Sequence, residues 1–404
     1  MIKIISAFID NYNRRKTILN TKGVRGIFEF NRGYILLIVL VISAFLVSVT
    51  SDFFLRSHTY IGYLKRFKSD AVADYIAYSG LELAKAVLDV DRLGLGGSFM
   101  QGLNNDKNID TYNDIWALDF PEIPIMNGFV KFEFEDENSK INLGVLANDR
   151  VEKTPFYNML QRFFLDMGFS IDLADTLIDW VDPDDFRSPY GAESSGYYLT
   201  LTPPYYAKNE AMDSIDELHL VKGFSPEIIY GTGGGNYGIE KNIVEDNKGT
   251  IKIPLNKLID ISGGKEDFDS DSLFQESVEK KFGREKNRRL DKYLRVHGNR
   301  DDFTSEINRI NINTAPFRIL MALTSSITED NVEEIIRRRQ LQPFKAVSEI
   351  NSFLEGDHNL GNLLTVRSQV FKITVTATVE SGFSRHIVYY DRVRKKILAY
   401  TKEQ

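Results

Sequence analysis

The sequence predicts an α+β protein: one long N-terminal helix, antiparallel strands at two separate places in the chain, and a largely helical block between them. Three patterns carry this. A sixteen-residue apolar run, Tyr34 to Val49, leads into a proline-free stretch to Val90 in which apolar or small residues recur at helical spacing. Val130, Phe132 and Phe134 alternate with Lys131, Glu133 and Glu135, and Phe371, Ile373, Val375, Ala377 and Val379 alternate with polar residues; a period of two marks half-buried strands. In between, Phe156, Leu160, Phe163, Phe164 and Met167, then Ile171, Ala174, Leu177, Ile178 and Val181, mark two helix faces separated by the stop signal Gly168.

Seven basic residues (Lys3, Arg14, Arg15, Lys16, Lys22, Arg25, Arg32) precede the apolar run against two acids, Asp10 and Glu29. A basic flank stays cytoplasmic, so the chain beyond Ser51 is expected on the other side of a membrane. A spanning helix wants about 20 residues, and the run reaches that length by continuing into an amphipathic helix with a stripe at Val72, Ile76, Ser79, Leu83 and Val87. A cleaved secretory signal fits poorly, because the basic region is long and no A-x-A site follows. A plain single-pass anchor is the simplest alternative.

After a Gly/Asn-rich stretch, Leu93 to Asn113, and the first strand comes the helical block. In NINTAPFRILMAL, Asn313 or Thr314 is expected to cap a helix with Pro316 in its first turn. Thr328 caps the next, whose end carries Arg337, Arg338 and Arg339, read as a surface charge cluster matched to the helix dipole. Met212–Ile228 parallels Ala346–Leu360, each opening a short helix behind a serine, which suggests two helix–hairpin–helix units. A charge-dense stretch, about 241–302, reads as a mobile insertion. At the end, the turn Ser381-Gly382 joins Phe371–Val379 to Ser384–Val393, and Ile397–Tyr400 pairs as a third strand.

The net charge of −7 argues against nucleic acid as the main partner. With no cysteine, disulfides, thiolate metal sites and cysteine nucleophiles are excluded. The five histidines are scattered, Gly233–Gly238 matches G-x-G-x-x-G without a surrounding βαβ unit, and no catalytic constellation is present. The aromatic-rich stretch Tyr197–Tyr206 either packs over the helical block, the favoured reading, or forms part of a partner surface. Asp179, Asp182, Asp184, Asp185 and Glu193 place five carboxylates within fifteen positions on an irregular segment. Hard cations such as calcium take about 6–8 oxygens from such loops; a solvated acidic loop is the competing reading. Asp213 and Asp216 are further candidates.

Four segments in order, RGYILLIVLVISAF, DENSKINLGVL, LIDWVDPDD…GAESSGYY and INRININTAPFRILMAL, resemble the GspK family, the large minor pseudopilin of type II secretion systems. The resemblance implies a pilin-like fold, a long N-terminal helix packed on an antiparallel sheet, interrupted by a large all-α domain of two helix–hairpin–helix (SAM-like) repeats. The implied organisation is a leader 1–33, a transmembrane and stem helix 34–92, a first part of the β core 93–149, the inserted α-domain 150–365, and closing strands 366–404. It further implies a single pass of the inner membrane with the bulk in the periplasm, and cleavage after Gly33 by a prepilin peptidase with methylation of Tyr34. The implied partners are the minor pseudopilins of I, J and H type, the major pseudopilin and an inner-membrane assembly platform; the implied ion is calcium at the acidic loop; no enzymatic activity is implied. Most pilin-like subunits carry Glu as the fifth mature residue, where this chain has Ile38. A subunit with no neighbour above it needs no carboxylate to offset a buried ammonium, and an unpaired buried charge destabilises. Ile38 therefore suits a filament tip. A membrane-anchored DNA-binding or uptake component, or a type IV pilus-like minor pilin, is the alternative; against DNA, the hairpin Thr324–Thr328 lacks the glycine turn that cradles phosphate.

Overall fold

The computed structural model describes residues 32–96, 103–147, 155–231, 289–298, 305–354 and 360–403, with residues 32–34 described for their backbone only. The basic leader before Arg32, the Gly233–Gly238 stretch and the charged stretch as far as residue 288 lie outside the described residues. The chain divides into two units, before and after Phe67. Helix α1, Arg32–Arg92, contributes to both.

In the first unit the side chains from Ile35 through Val49 are exposed and, apart from Ser43 and Ser48, apolar or small, with an 18-residue window of mean hydropathy 2.4. Two of its hydroxyls turn back onto the helix: Ser43 Oγ donates to the Leu40 carbonyl at 2.9 Å and Thr50 Oγ1 to that of Leu46 at 2.8 Å, which spares them partners in hydrocarbon. This is one N-terminal helix long and apolar enough for a single-pass membrane anchor.

The second unit is built on a five-stranded antiparallel sheet of order β1-β2-β7-β8-β9. The strands are β1 Ile123–Ile125, β2 Gly128–Asp136, β7 Val370–Val379, β8 Gly382–Asp391 and β9 Lys396–Glu403. Register places Phe132 beside Val375 and Phe134 beside Ile373, so the apolar sets of β2 and β7 share one face. That face packs on the C-terminal half of α1, forming a core with Trp116, Phe371 and Val388. Asp74 on α1 ties the helix to the far strands, through His386 Nε2 at 2.8 Å and Lys402 Nζ at 2.9 Å.

The buried stripe of α1 differs from the expected one. It runs Ala73, Ile76, Ala77, Gly80, Leu81, Ala84 and Leu88, while Leu83 is exposed and Val72, Ser79 and Val87 are only partly covered. Small residues set the phase because they let the helix approach the sheet. A Cβ on Gly80 would lie 2.5 Å from Val130 Cγ2 and 2.9 Å from Val375 Cγ1, closer than atoms pack. A pattern weighted by side-chain size reads this face one position out of step.

Between β2 and β7 the chain leaves the sheet and forms a second core. Helices α2 Pro155–Asp166, α3 Asp172–Val181, α4 Pro226–Tyr230, α5 Phe317–Met321 and α6 Glu329–Leu341 surround Phe163, Phe164, Leu177, Trp180, Leu320 and Ile335. Two short parallel ladders, β3 Ile141–Asn142 with β4 Leu294–Arg295 and β5 Ile310–Asn311 with β6 Leu364–Thr365, add strand character to the expected all-α block. Residues 289–298, assigned from sequence to the mobile insertion, are instead packed: Leu290, Leu294, Arg295 and Val296 are buried. Helix α5 begins later than expected, with Pro316 at its N-cap and no side-chain cap. Arg339 is buried rather than on the surface; Nη1 donates to the carbonyls of Ile312 at 2.9 Å and Ala315 at 2.7 Å. In the aromatic stretch Tyr198 is buried edge-on against Trp180, ring centroids 5.1 Å apart, whereas Tyr206 faces outward.

Candidate functional site

Where the sheet meets the helical block, the residues that carry the family resemblance build a buried polar seam. Asn138, fully buried, accepts at Oδ1 from the backbone N–H of Gln369 (2.9 Å) and Val370 (3.0 Å), and donates through Nδ2 to the carbonyls of Ile307 (3.2 Å) and Arg309 (2.9 Å). Asp136 Oδ2 accepts from Ser368 Oγ at 2.6 Å and Thr314 Oγ1 at 2.5 Å. Asn311 Nδ2 donates to Ser368 Oγ (2.8 Å) and the Asp110 carbonyl (3.0 Å), and Asn142 Nδ2 to Asn308 Oδ1 (2.9 Å). Side chains here replace the ladder bonds that the chain gives up where strands end, because buried backbone groups need partners. Burial pushes the Asp136 carboxyl up to about 6 despite the hydroxyls that favour its charge, and Asp110 adds to the rise.

Beside this seam lies an acid cluster that sequence reading missed. Asp91 from α1 and Asp110 and Asp114 from the loop before β1 are buried, with ligand oxygens all within 4.8 Å of one another. Their resident cation is Arg392, whose Nη1 lies 2.8 Å from Asp91 Oδ2 and whose Nη2 bonds Asp110 Oδ1. One guanidinium does not neutralise three carboxylates. Burial first and the charge of Asp110 second push Asp91 up to about 7, and Asp114 rises well above the usual carboxylate range by burial and the charges of Asp91 and Asp110. The Gly/Asn-rich look of residues 93–113 hid the cluster; the only signal was the density of aspartate near an end-of-helix Asp91.

The predicted acidic loop divides. Asp179, at the end of α3, Asp182 and Glu193 are buried, while Asp184 and Asp185 are exposed. Asp179 accepts the Ser188 N–H at 3.0 Å, and a Cβ on Gly191 would fall 1.9 Å from Asp179 Oδ2, so only glycine lets the loop close over the carboxylate. Burial raises the Asp179 carboxyl, opposed by hydrogen bonds from Ser188 and Ala192. Burial and then the charges of Asp179, Asp185 and Asp184 push Glu193 up to about 7. Among the described residues Glu193 Oε1 has no hydrogen-bond partner, and neither does Oδ1 of Asn209, whose Nδ2 reaches the Asp184 carbonyl and Asp185 Oδ1, each at 3.1 Å. Orphaned carboxylate and amide oxygens fit a hard cation. Asp213 and Asp216 do not join the loop: Asp213 pairs with Lys208 at 2.7 Å and Asp216 bonds Tyr230 and Ser214. Asn209 was missed by sequence reading, which sought carboxylates alone.

Two family profiles, both described as type II secretion system (T2SS) protein K, match residues 139–230 and 310–367, the two arms of the helical block. Among similar proteins are the type II secretion system protein K of Aeromonas hydrophila, 29% identical with 48% of this chain and 60% of that protein covered, and that of Pectobacterium carotovorum subsp. carotovorum, 27% identical with 49% and 60% covered. The chain thus spans about 60% of the length of these relatives. The fold resembles a chain in the crystal structure of the GspK-GspI-GspJ complex from the type 2 secretion system of enterotoxigenic Escherichia coli, with a TM-score of 0.51 at 15% identity over 86% of this chain and 99% of that one. Over residues 139–230 and 310–367, both in the split helical block, the chain is thus similar to type II secretion system protein K.

Proposed function

We propose that this protein is a minor pseudopilin, a structural subunit rather than an enzyme, at the tip of a type II secretion pseudopilus. There it helps initiate the filament that exports folded proteins across the outer membrane. The observation that carries the tip position is Ile38, an apolar residue on an exposed apolar helix where pilin-like subunits place a carboxylate. In this reading α1 spans the inner membrane once and the second unit lies in the periplasm. A prepilin peptidase cuts between Gly33 and Tyr34, and the new Tyr34 amine is methylated. Subunits of I and J type, named in the related complex, together with H-type and major pseudopilins and the inner-membrane platform, are its assembly partners.

The helical block is read as two related repeats. Glu217 accepts the backbone N–H of Asp213 and Ser214, and Glu349 accepts those of Lys345 and Ala346, so each copy opens a short helix with the same glutamate clasp. Ser214 sits at the N-cap of its helix, whereas the equivalent position in the second copy is Ala346 and not the expected serine. Calcium is assigned to the acidic loop, with Asp179, Asp182 and Glu193 inside and Asp184 and Asp185 at its mouth; the ion would supply positive charge to the buried Asp179 and Glu193 carboxylates. The test of processing is coexpression with the matching peptidase followed by mass spectrometry of the N-terminus. A chain beginning at methyl-Tyr34 is expected; an uncut N-terminus would return the plain membrane anchor to first place.

A further inference from the structure

The five-stranded sheet ends in two unequal edges. One is β1, three residues long with Pro124 at its centre, which offers little to a further strand. The other is β9, eight residues without proline. The ladders fix which of its backbone groups face outward. The two-residue turn Glu380-Ser381 closes β7 and β8 on the pair Val379–Gly382, so the odd-numbered residues of β8 turn their N–H and C=O groups toward β9. There they meet Ala399, Thr401 and Glu403. Tyr400 and Lys402 therefore aim their N–H and C=O groups away from the sheet, and among the described residues nothing bonds these backbone groups. The side chains beside this edge are aromatic. Tyr400 is 43% exposed and Tyr78 of α1 54%, and both rings stand edge-on to the buried His386, centroids 5.5 and 5.8 Å from it. The charges nearby are spent: Lys402 pairs with Asp74 at 2.9 Å, Glu403 with Arg385 at 3.4 Å and Lys395 with Asp89 at 2.7 Å. Lys396 has no carboxylate partner among the described residues. The run Ala399–Thr401 thus carries neither a proline nor a charge to guard it, the usual means of closing an edge.

We propose that β9 takes up an extended segment of a partner polypeptide as a sixth strand of the sheet. The segment pairs with the Tyr400 and Lys402 backbone, lays an apolar side chain on the Tyr78 and Tyr400 rings and sets an acid against Lys396. The open ladder commits the occupant: N–H and C=O groups alternating along a strand are matched in full by another extended backbone, with side chains supplying the selectivity. Lys396 sets the sign of its charge. The site rests on the geometry of the sheet, goes beyond the pseudopilin reading and does not depend on the tip position.

The test is binding of a fluorescein-labelled strand peptide, Thr-Val-Thr-Val-Thr-Val-Asp with blocked ends, to the full chain in detergent. Two control peptides carry N-methyl groups, one on the valine nitrogens and the other on the threonine nitrogens. Each keeps every side chain but donates along one edge only. One control should bind at least tenfold more weakly than the parent, and the other within threefold of it. Tyr400→Pro removes an outward donor and leaves Ala399 and Thr401 paired with β8; it should weaken the parent at least tenfold. Lys396→Glu should weaken it at least threefold, and a peptide ending in lysine should regain the loss. In hydrogen exchange the parent should slow the amides of Tyr400 and Lys402 and leave those of Ala399 and Thr401 unchanged. No binding at millimolar peptide, or equal binding of the two methylated controls, would overturn the proposal. So would a concentration-dependent dimer of the free chain that Tyr400→Pro dissolves, which would make the occupant a second copy.

Discussion

Replacing Asn138 by alanine is expected to cut the tie between sheet and helical block. The side chain is fully buried and makes four hydrogen bonds, all to backbone groups of segments 307–309 and 369–370. Alanine leaves two N–H and two carbonyl groups without their partner. At about 1 kcal/mol net for each bond lost, the cost is about 4 kcal/mol. That corresponds to a fall of about 8–16 °C in melting temperature for a domain of this size. The two tryptophans separate the two cores: Trp116 lies against the sheet and Trp180 in the helical block. Urea titration of the full chain in detergent, in Trp180→Phe and Trp116→Phe backgrounds, follows each core alone. Asn138→Ala should lower both midpoints and part them, whereas an alanine at the exposed Asn351 should change either by less than about 0.5 kcal/mol. A loss below 1 kcal/mol, with the two transitions still coincident, would refute the view that this seam couples the cores.

Three further outcomes follow from the geometry. Asp91 has its folded pKa raised to about 7, so the stability tied to its protonation is complete below its unfolded value and is lost as pH rises through about 7. Thermal melts from pH 5 to 8 should show falling stability and Asp91→Asn a shallower fall, with Glu193, raised to about 7, Asp136, raised to about 6, and the raised Asp114 supplying the remaining slope; equal slopes would contradict this. Gly80→Ala should destabilise by about 1–3 kcal/mol through overpacking, despite the better helix propensity of alanine, and Val130→Ala in the same chain should recover part of the loss in chemical denaturation. Calcium should raise the melting temperature of EDTA-treated protein, by about 2.7 kcal/mol of stability at a hundredfold excess over Kd, and Glu193→Gln should abolish the response; a response unchanged in that variant moves the ion elsewhere.

What the sequence made legible depended on how much of each signal is local. Alternation over Val130–Phe134 and Phe371–Val379 specified both long central strands, because a strand with one wet face writes its register into its side chains. The edge strand β1, three residues with a central Pro124, left no such trace. The stem stripe was misphased because its buried face relies on Ala73, Ala77, Gly80 and Ala84, which contribute closeness rather than hydrophobic bulk. Arg339 read as a surface charge because its partners, the Ile312 and Ala315 carbonyls, lie 27 and 24 residues away. The acidic loop was found by carboxylate density, but that count could not separate buried Asp179 and Glu193 from exposed Asp184 and Asp185. The Asp91–Asp110–Asp114 cluster and Arg392 are brought together only by tertiary folding, across 282 residues in the case of Asp110.

The tip position is tested most directly by locating the subunit on assembled filaments. Pseudopili grown with a gold-labelled copy of this protein and imaged by electron microscopy should carry label at one end only. In the same preparation Ile38→Glu should permit label along the shaft. Label spaced along the filament in the unaltered protein would contradict the account.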